Sequence, residues 1–201
     1  MTIRIYGVSG SRAIRSLWAI EETGIDYTHV PTHFFNDSKT EEYLAVNPNG
    51  RIPALVDGDL TLFESMAINL YLIRKYAPAL YPDKEADEAV AIQWSVWAIS
   101  EIEPLQMQIV IQTFFNRDNI DQSIIDSATE SLKRPLNVLN ATLADRPYLL
   151  GDEFTVADLN VAGVMQLMQM VKFDFTGYHN VVDWLERCYS REALKRAQSL
   201  D

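Results

Sequence analysis

The sequence predicts an α/β domain over residues 1–77, a linker over 78–85 and an all-helical domain over 86–201. Three observations carry that division. Strand and helix patterns alternate as far as Tyr76. The segment Ala77-Pro78-Ala79-Leu80-Tyr81-Pro82-Asp83 then holds two prolines within five residues and shows no periodicity. Beyond it, every periodic stretch follows the helical repeat.

In chain order, Thr2 to Tyr6 reads as a strand. Ile14, Leu17, Trp18 and Glu21 follow the helical period up to Gly24, a residue suited to the left-handed position that closes a helix. Asp26 to Val30 is a second strand, and a loop with a short helix spans Phe34 to Val46. Asp57-Gly58 between two apolar runs is a strong hairpin signal, because such turns need positive φ. A helix opens at Ser65 and closes the unit at Tyr76. The order β-α-β-α-β-β-α is thioredoxin-like. In the second domain, a long helix over Ala86 to Phe115 contains Pro104, which removes the bond to the Ser100 carbonyl and kinks it. A second helix, Ser123 to Leu143, puts Leu132, Leu136, Leu139 and Leu143 on one stripe and bends at Pro135. Further helices start at Thr155, Val181 and Arg191.

Composition narrows the class. Hydrophobic residues make up 48% and charged residues 22%, the balance of a soluble globular chain. A net charge of -11 argues against nucleic acid and anionic membrane surfaces as partners. An anionic substrate would therefore be met by local cations and backbone amides. The single cysteine, Cys188, permits no internal disulfide and no zinc cluster, and its helical setting suits a packing residue. No apolar run approaches the roughly 18 residues of a membrane span, and the expected location is cytoplasmic. His29, His33 and His179 are scattered without metal-ligand spacing.

The most informative stretch is Asn47-Pro48-Asn49-Gly50-Arg51-Ile52-Pro53-Ala54-Leu55, followed by Glu64-Ser65-Met66-Ala67-Ile68. Pro53 at the mouth of a strand cannot donate to a ladder, which makes sense if the backbone there pairs with a ligand. A second signature is Gly151-Asp152-Glu153-Phe154-Thr155-Val156-Ala157-Asp158-Leu159. Thr155 and Asp158 stand as the two partners of a capping box, and Phe154 and Leu159 as a hydrophobic staple. Together, about a hundred residues apart, these runs resemble the glutathione S-transferase family, and the resemblance covers essentially the whole chain. It implies a cis Pro53, and an Ile52 backbone that bonds the cysteinyl part of glutathione. It implies that Glu64 and Ser65 hold the γ-glutamyl end. It also implies a homodimer, with a more polar interface where Asn49 replaces the family's aromatic key.

Glutathione transfer needs a thiolate, and a thiol with a pKa of roughly 8.5 is only a few per cent ionised at neutral pH. A donated hydrogen bond and a helix N-terminus can lower that pKa. In serine-type members the catalytic Ser lies four residues after a Gly and four before an Arg; Ser11 fits both, with Gly7 and Arg15. Ser11 also stands where the first helix needs an N-cap. Ser9 is the alternative, and Tyr6 lies inside a strand. The loop has no Cys, which excludes the cysteine-type classes. Lys39 and Arg51 are placed to meet a ligand carboxylate or simply to face solvent, and Arg12 is a weaker hint of an anionic partner. Val8, Phe34, Met107, Ile111, Phe114 and Phe115 are electrophile-site candidates, among which Val8, Met107, Ile111 and Phe115 are preferred; the competing role is core packing. The reading is a transferase that joins glutathione, as co-substrate, to a small apolar electrophile, with no metal or other cofactor. A glutathione-dependent disulfide reductase or peroxidase would use the same site. A non-catalytic binding protein of the same fold is the other alternative.

Overall fold

The computed structural model describes residues 3–201, so Thr2, the first residue of the expected opening strand, lies outside the described residues. Four strands form one sheet in the order β2-β1-β3-β4. β1 (Ile3–Tyr6) runs parallel to β2 (Tyr27–Val30) and antiparallel to β3 (Ala54–Asp57), which pairs antiparallel with β4 (Leu60–Phe63). Between β1 and β2 lies α1 (Ile14–Thr23), closed by Gly24 at φ 66°. A single 3₁₀ turn (Asp37–Lys39) and the short α2 (Glu41–Leu44) lead to β3. α3 (Ser65–Tyr76) follows β4 and packs against α1. The core of this unit is aliphatic and aromatic: Ile5, Leu17, Trp18, Ile20, Leu55, Ile68, Leu72 and Ile73 are fully buried.

The hairpin forms as predicted, with a refinement. Asp57 pairs with Leu60 as the last strand residue, so Gly58 and Asp59 make the turn. Only Gly58 takes a positive φ, 61°, the pattern of a turn with glycine in its first central position.

In the helical unit, the expected long helix is a run of four segments. α4 (Glu85–Trp97) passes into a wide π turn (Ala98–Ile102), then α5 (Glu103–Val110), then a second π turn (Ile111–Phe115). The first π turn precedes Pro104: with no N–H there to reach Ser100, the chain widens and the Glu103 N–H bonds to the Ala98 carbonyl. α6 (Gln122–Thr142) continues through Pro135, and Leu132, Leu136, Leu139 and Leu143 are all buried. α7 (Val156–Met170) is buried on every side along Val156–Met165. α8 (His179–Tyr189) contributes Trp184 to the same core.

Several polar groups along and around the buried α7 find partners on neighbouring segments. Asn160 Nδ2 donates to Ser95 Oγ at 2.8 Å, and Gln106 Nε2 donates to the Val164 carbonyl at 2.8 Å. Asp158 closes the capping box by accepting from the Thr155 N–H at 3.0 Å. Its other oxygen accepts from the Leu149 N–H at 2.8 Å and from Trp184 Nε1 at 2.9 Å. Burial pushes the Asp158 carboxyl up, against these donated bonds that pull the other way.

The end of the chain departs from the expected division. The compact units are residues to Asp83 together with Tyr189–Asp201, and Lys84–Cys188. α9 (Glu192–Gln198) packs on α1, not with the helices that precede it. Arg191 makes a two-pronged bond to Glu22, at 2.6 and 2.8 Å, and Trp18 Nε1 donates to the same carboxylate. Arg196 bonds Glu21 through both its carboxylate and its backbone carbonyl. These acids sit on the solvent-side flank of a helix whose apolar face is already used, so α9 joins the unit through charge as well as through Ala193, Leu194 and Ala197.

Candidate active site

Three connections leave the sheet at one end. The ladder fixes this, since Ala54 pairs with both Tyr6 and Phe63. The loop after β1, the Ile52-Pro53 approach to β3 and the Glu64-Ser65 start of α3 are therefore neighbours at the edge of the same three strands. Candidates from three separate places in the sequence meet there.

The loop after β1 begins with Gly7 at φ 136°, where a Cβ would stand 2.2 Å from that of Ala13. Only glycine fits this close approach. The Gly7 carbonyl accepts from His29 Nε2 at 2.7 Å, which places the ring proton on that nitrogen. Ser11 is half-buried; its hydroxyl donates to the Val8 carbonyl at 2.7 Å and accepts from the Ala13 N–H at 3.1 Å. It thus braces the tight turn ahead of α1, whose boundary residue is Ala13, and does not cap α1 directly as expected. A ligand sulfur would receive this hydroxyl proton only after it turned away from Val8. Ser9 uses its backbone N–H on the Asp201 carboxylate, at 2.9 and 3.2 Å. Tyr6 is buried, packed edge-on against Tyr43 with ring centres 5.7 Å apart.

The approach to β3 is tightly organised. The Arg51 carbonyl accepts from both the Tyr43 hydroxyl and Asn47 Nδ2, each at 2.6 Å. Burial holds the Tyr43 hydroxyl up at about 12. Asn47 also receives the Asn49 N–H, and the Lys39 ammonium bonds to the Gly50 carbonyl. Lys39 therefore sits on the turn just ahead of Ile52, whereas the Arg51 side chain is exposed. The Ile52-Pro53 bond is cis. Among the described residues, the N–H and carbonyl of Ile52 have no backbone partner. The β1–β3 ladder ends at Ala54, two residues past the Ile52 backbone, with Pro53 between them.

At the head of α3, Glu64 has φ 73° and ψ 114°, a sparsely populated region for a residue with a side chain. Its side chain is exposed and caps nothing. Ser65 is buried and opens a helix of 12 residues, so the positive end of that helix faces out uncapped. An anionic group is the natural partner for such an end.

The first 74 residues match the N-terminal domain of glutathione S-transferases, and residues 102–192 match the C-terminal domain. A glutathione S-transferase 1 from Zea mays is 33% identical over 98% of this chain and 96% of its own length. The chain belongs to the glutathione S-transferase family. The theta class glutathione S-transferase from the citrus canker pathogen Xanthomonas axonopodis pv. citri, solved with glutathione bound, superposes with a TM-score of 0.91. It is 30% identical, over 100% of this chain and 98% of that one. Glutathione S-transferase I from maize, in complex with an atrazine glutathione conjugate, gives a TM-score of 0.88 at 31% identity, over 100% and 98% of the two chains.

The electrophile candidates of this transferase family member are unequal. Val8 is 5% exposed and offers little surface. Met107 is half-buried on α5, whereas Ile111 and Phe115 are 41% and 55% exposed. Ile111, Phe114 and Phe115 lie in the second π turn, where the Asn116 N–H reaches back five residues to Ile111. The 3.6-residue spacing used to align them therefore does not hold there. Phe34 and Phe35 form an exposed ring pair, 4.3 Å between centres, in the loop after β2. The helical unit also has a polar cavity of about 320 Å³ beside α8, with Arg146, Asn180 and Asp183 in its wall and none of the expected site residues. Two contributors escaped the sequence reading, His29 on Gly7 and Asp201 on Ser9. A lone histidine one strand away and an acid far down the chain carry no local signal.

Proposed function

We propose that the chain is a serine-type glutathione transferase, in which the glutathione thiolate attacks a small apolar electrophile. A carbon–sulfur bond forms, the thiol proton passes to solvent, and any leaving group departs with its electron pair. The observation that carries this reading is the free Ile52 backbone beside the uncapped start of α3, at the same sheet end as Ser11. Ile52, next to cis Pro53, would pair with the cysteinyl backbone. Glu64 and Ser65 would hold the γ-glutamyl end, and Lys39 would meet the glycyl carboxylate, with Arg51 as a second cation. Ser11 would turn its hydroxyl from Val8 to the sulfur. The first unit then binds glutathione, and the helical unit supplies electrophile contacts through Met107, Ile111 and Phe115, with Val8 in a lesser part.

A homodimer fits the exposed apolar stripe Ile92, Val96 and Ile99 on the α4 run, at spacings of four and three residues. Among the described residues, no helix is long and apolar enough to cross a membrane. A cytoplasmic location fits the proposal, because the reducing cytosol keeps thiols such as that of glutathione reduced.

The test is Ser11→Ala. Turnover should fall far more than glutathione affinity, because the hydroxyl acts on sulfur and not on the tripeptide's ends. The thiol pKa of bound glutathione, read from thiolate absorbance, should rise by about one to two units. An unchanged rate and pH profile would remove Ser11 from the mechanism.

A further inference from the structure

Asp201 lies three residues beyond α9, yet its carboxylate takes the Ser9 N–H with both oxygens, at 2.9 and 3.2 Å. The partner at the other end of that peptide is what gives this bond meaning. Ser9 N–H and Val8 C=O belong to one planar trans unit and point in opposite directions. The Val8 carbonyl accepts the Ser11 hydroxyl at 2.7 Å and the Ser11 N–H at 3.2 Å. One peptide plane is therefore gripped by a carboxylate on one side and holds the Ser11 proton on the other.

We propose that Asp201 is a positioning residue for the Ser11 hydroxyl, acting through the Val8–Ser9 peptide plane. Two physical effects run the same way. The carboxylate fixes the rotation of the plane, so Val8 C=O stays aimed at Ser11. A charge-assisted bond at the N–H also polarises the peptide and makes its carbonyl a stronger acceptor. A serine has one proton to give. Donation to sulfur must break the bond to Val8, and Asp201 sets how tightly that proton is held. α9 makes the arrangement firm, because Arg191 on Glu22 and Arg196 on Glu21 anchor the tail to the same helix that Ser11 introduces.

The inference rests on Ser11 being the donor to the thiolate, and the experiment separates the two. Thiolate absorbance of bound glutathione is measured at one fixed neutral pH in wild type, Asp201→Ala, Asp201→Asn, Ser11→Ala and the Ser11→Ala/Asp201→Ala double variant. Asp201→Ala should raise the ratio of thiolate to thiol by about two- to fivefold, the size of one weakened hydrogen bond. Asp201→Asn, whose amide oxygen still accepts, should fall between. In the double variant the Asp201 effect should vanish. The same rise persisting there would mean a bare charge effect and overturn the proposal. So would an Asp201→Ala protein that kept the wild-type thiolate fraction while Ser11→Ala lost thiolate. Ser11→Ala with a wild-type thiolate fraction would overturn the reading of Ser11 itself, and this proposal with it.

Discussion

Two helix starts in this protein carry the same residue types and treat them in opposite ways. At α7, Thr155 and Asp158 satisfy each other and their surroundings: every oxygen of Asp158 is engaged, and the residue is fully buried. At α3, Glu64 and Ser65 leave the first turn open, with Glu64 held at φ 73° and capping nothing. A satisfied helix start contributes stability. An open one, kept in a strained backbone, gives up stability and offers donors and positive potential to a ligand. Under the proposed function, only the second faces glutathione.

The largest test of this contrast is Asp158→Ala. It strands the Leu149 N–H, the Thr155 N–H and Trp184 Nε1–H in a buried setting. Unpaired buried donors cost about 1–3 kcal/mol each, so a loss of about 3–5 kcal/mol is expected after relaxation. Denaturant unfolding measures it, alongside specific activity per folded molecule. Wild-type stability with lost activity would put Asp158 in the site and erase the distinction between the two helix starts.

Next in size are changes at α3. Ser65→Ala should weaken glutathione binding by about 10- to 150-fold, equivalent to about 1.5–3 kcal/mol, with stability unchanged within about 0.5 kcal/mol. Glu64→Gly sharpens the comparison further. It should weaken binding too, yet raise stability by about 1 kcal/mol, because glycine accepts the positive φ without strain. Calorimetric titration and thermal melting, run together, read both effects. A Glu64→Gly protein that bound glutathione normally, or melted lower, would show that the strain is not tied to the ligand.

The sequence made this contrast legible only in part. The hairpin at Asp57-Gly58, the capping box at Thr155 and the Ile52-Pro53 run were visible because their physics is local: turn chemistry, a cap three residues from its partner, a missing N–H. The Glu64-Ser65 pair was singled out only by its resemblance to the family. The leucine stripe of α6 was visible for the same reason, as periodicity within one helix. Several features depended on what the fold brings together. The extra bonds of Asp158 to Leu149 and Trp184, the hold of Asp201 on Ser9 and the return of α9 to α1 span long stretches of chain. The π turns around Pro104 and Ile111 lay between: the proline announced a defect, but not that the chain would widen to absorb it.

The effect confined to the narrowest conditions concerns a third carboxylate, at the opposite end of β3 from the site. Asp57 accepts from Tyr71 and Tyr76 hydroxyls at 2.6 Å each and from the Lys75 ammonium at 2.8 Å. Burial alone would push its carboxyl up, but the three donors pull it down to about 2. By the contrast drawn above, a carboxylate this well satisfied belongs with Asp158, as a stabilising group with no part in binding. Its folded pKa lies below the unfolded value, so its contribution is complete above about pH 4 and is lost as pH falls toward 2. About 1–2 kcal/mol should disappear across that window, after screening of the half-exposed Lys75 is allowed for. Asp57→Asn should flatten that part of the acid unfolding curve while glutathione affinity at neutral pH stays at the wild-type value. If affinity fell instead, the two ends of β3 would be coupled, and engagement of a carboxylate would no longer separate groups that stabilise from groups that bind.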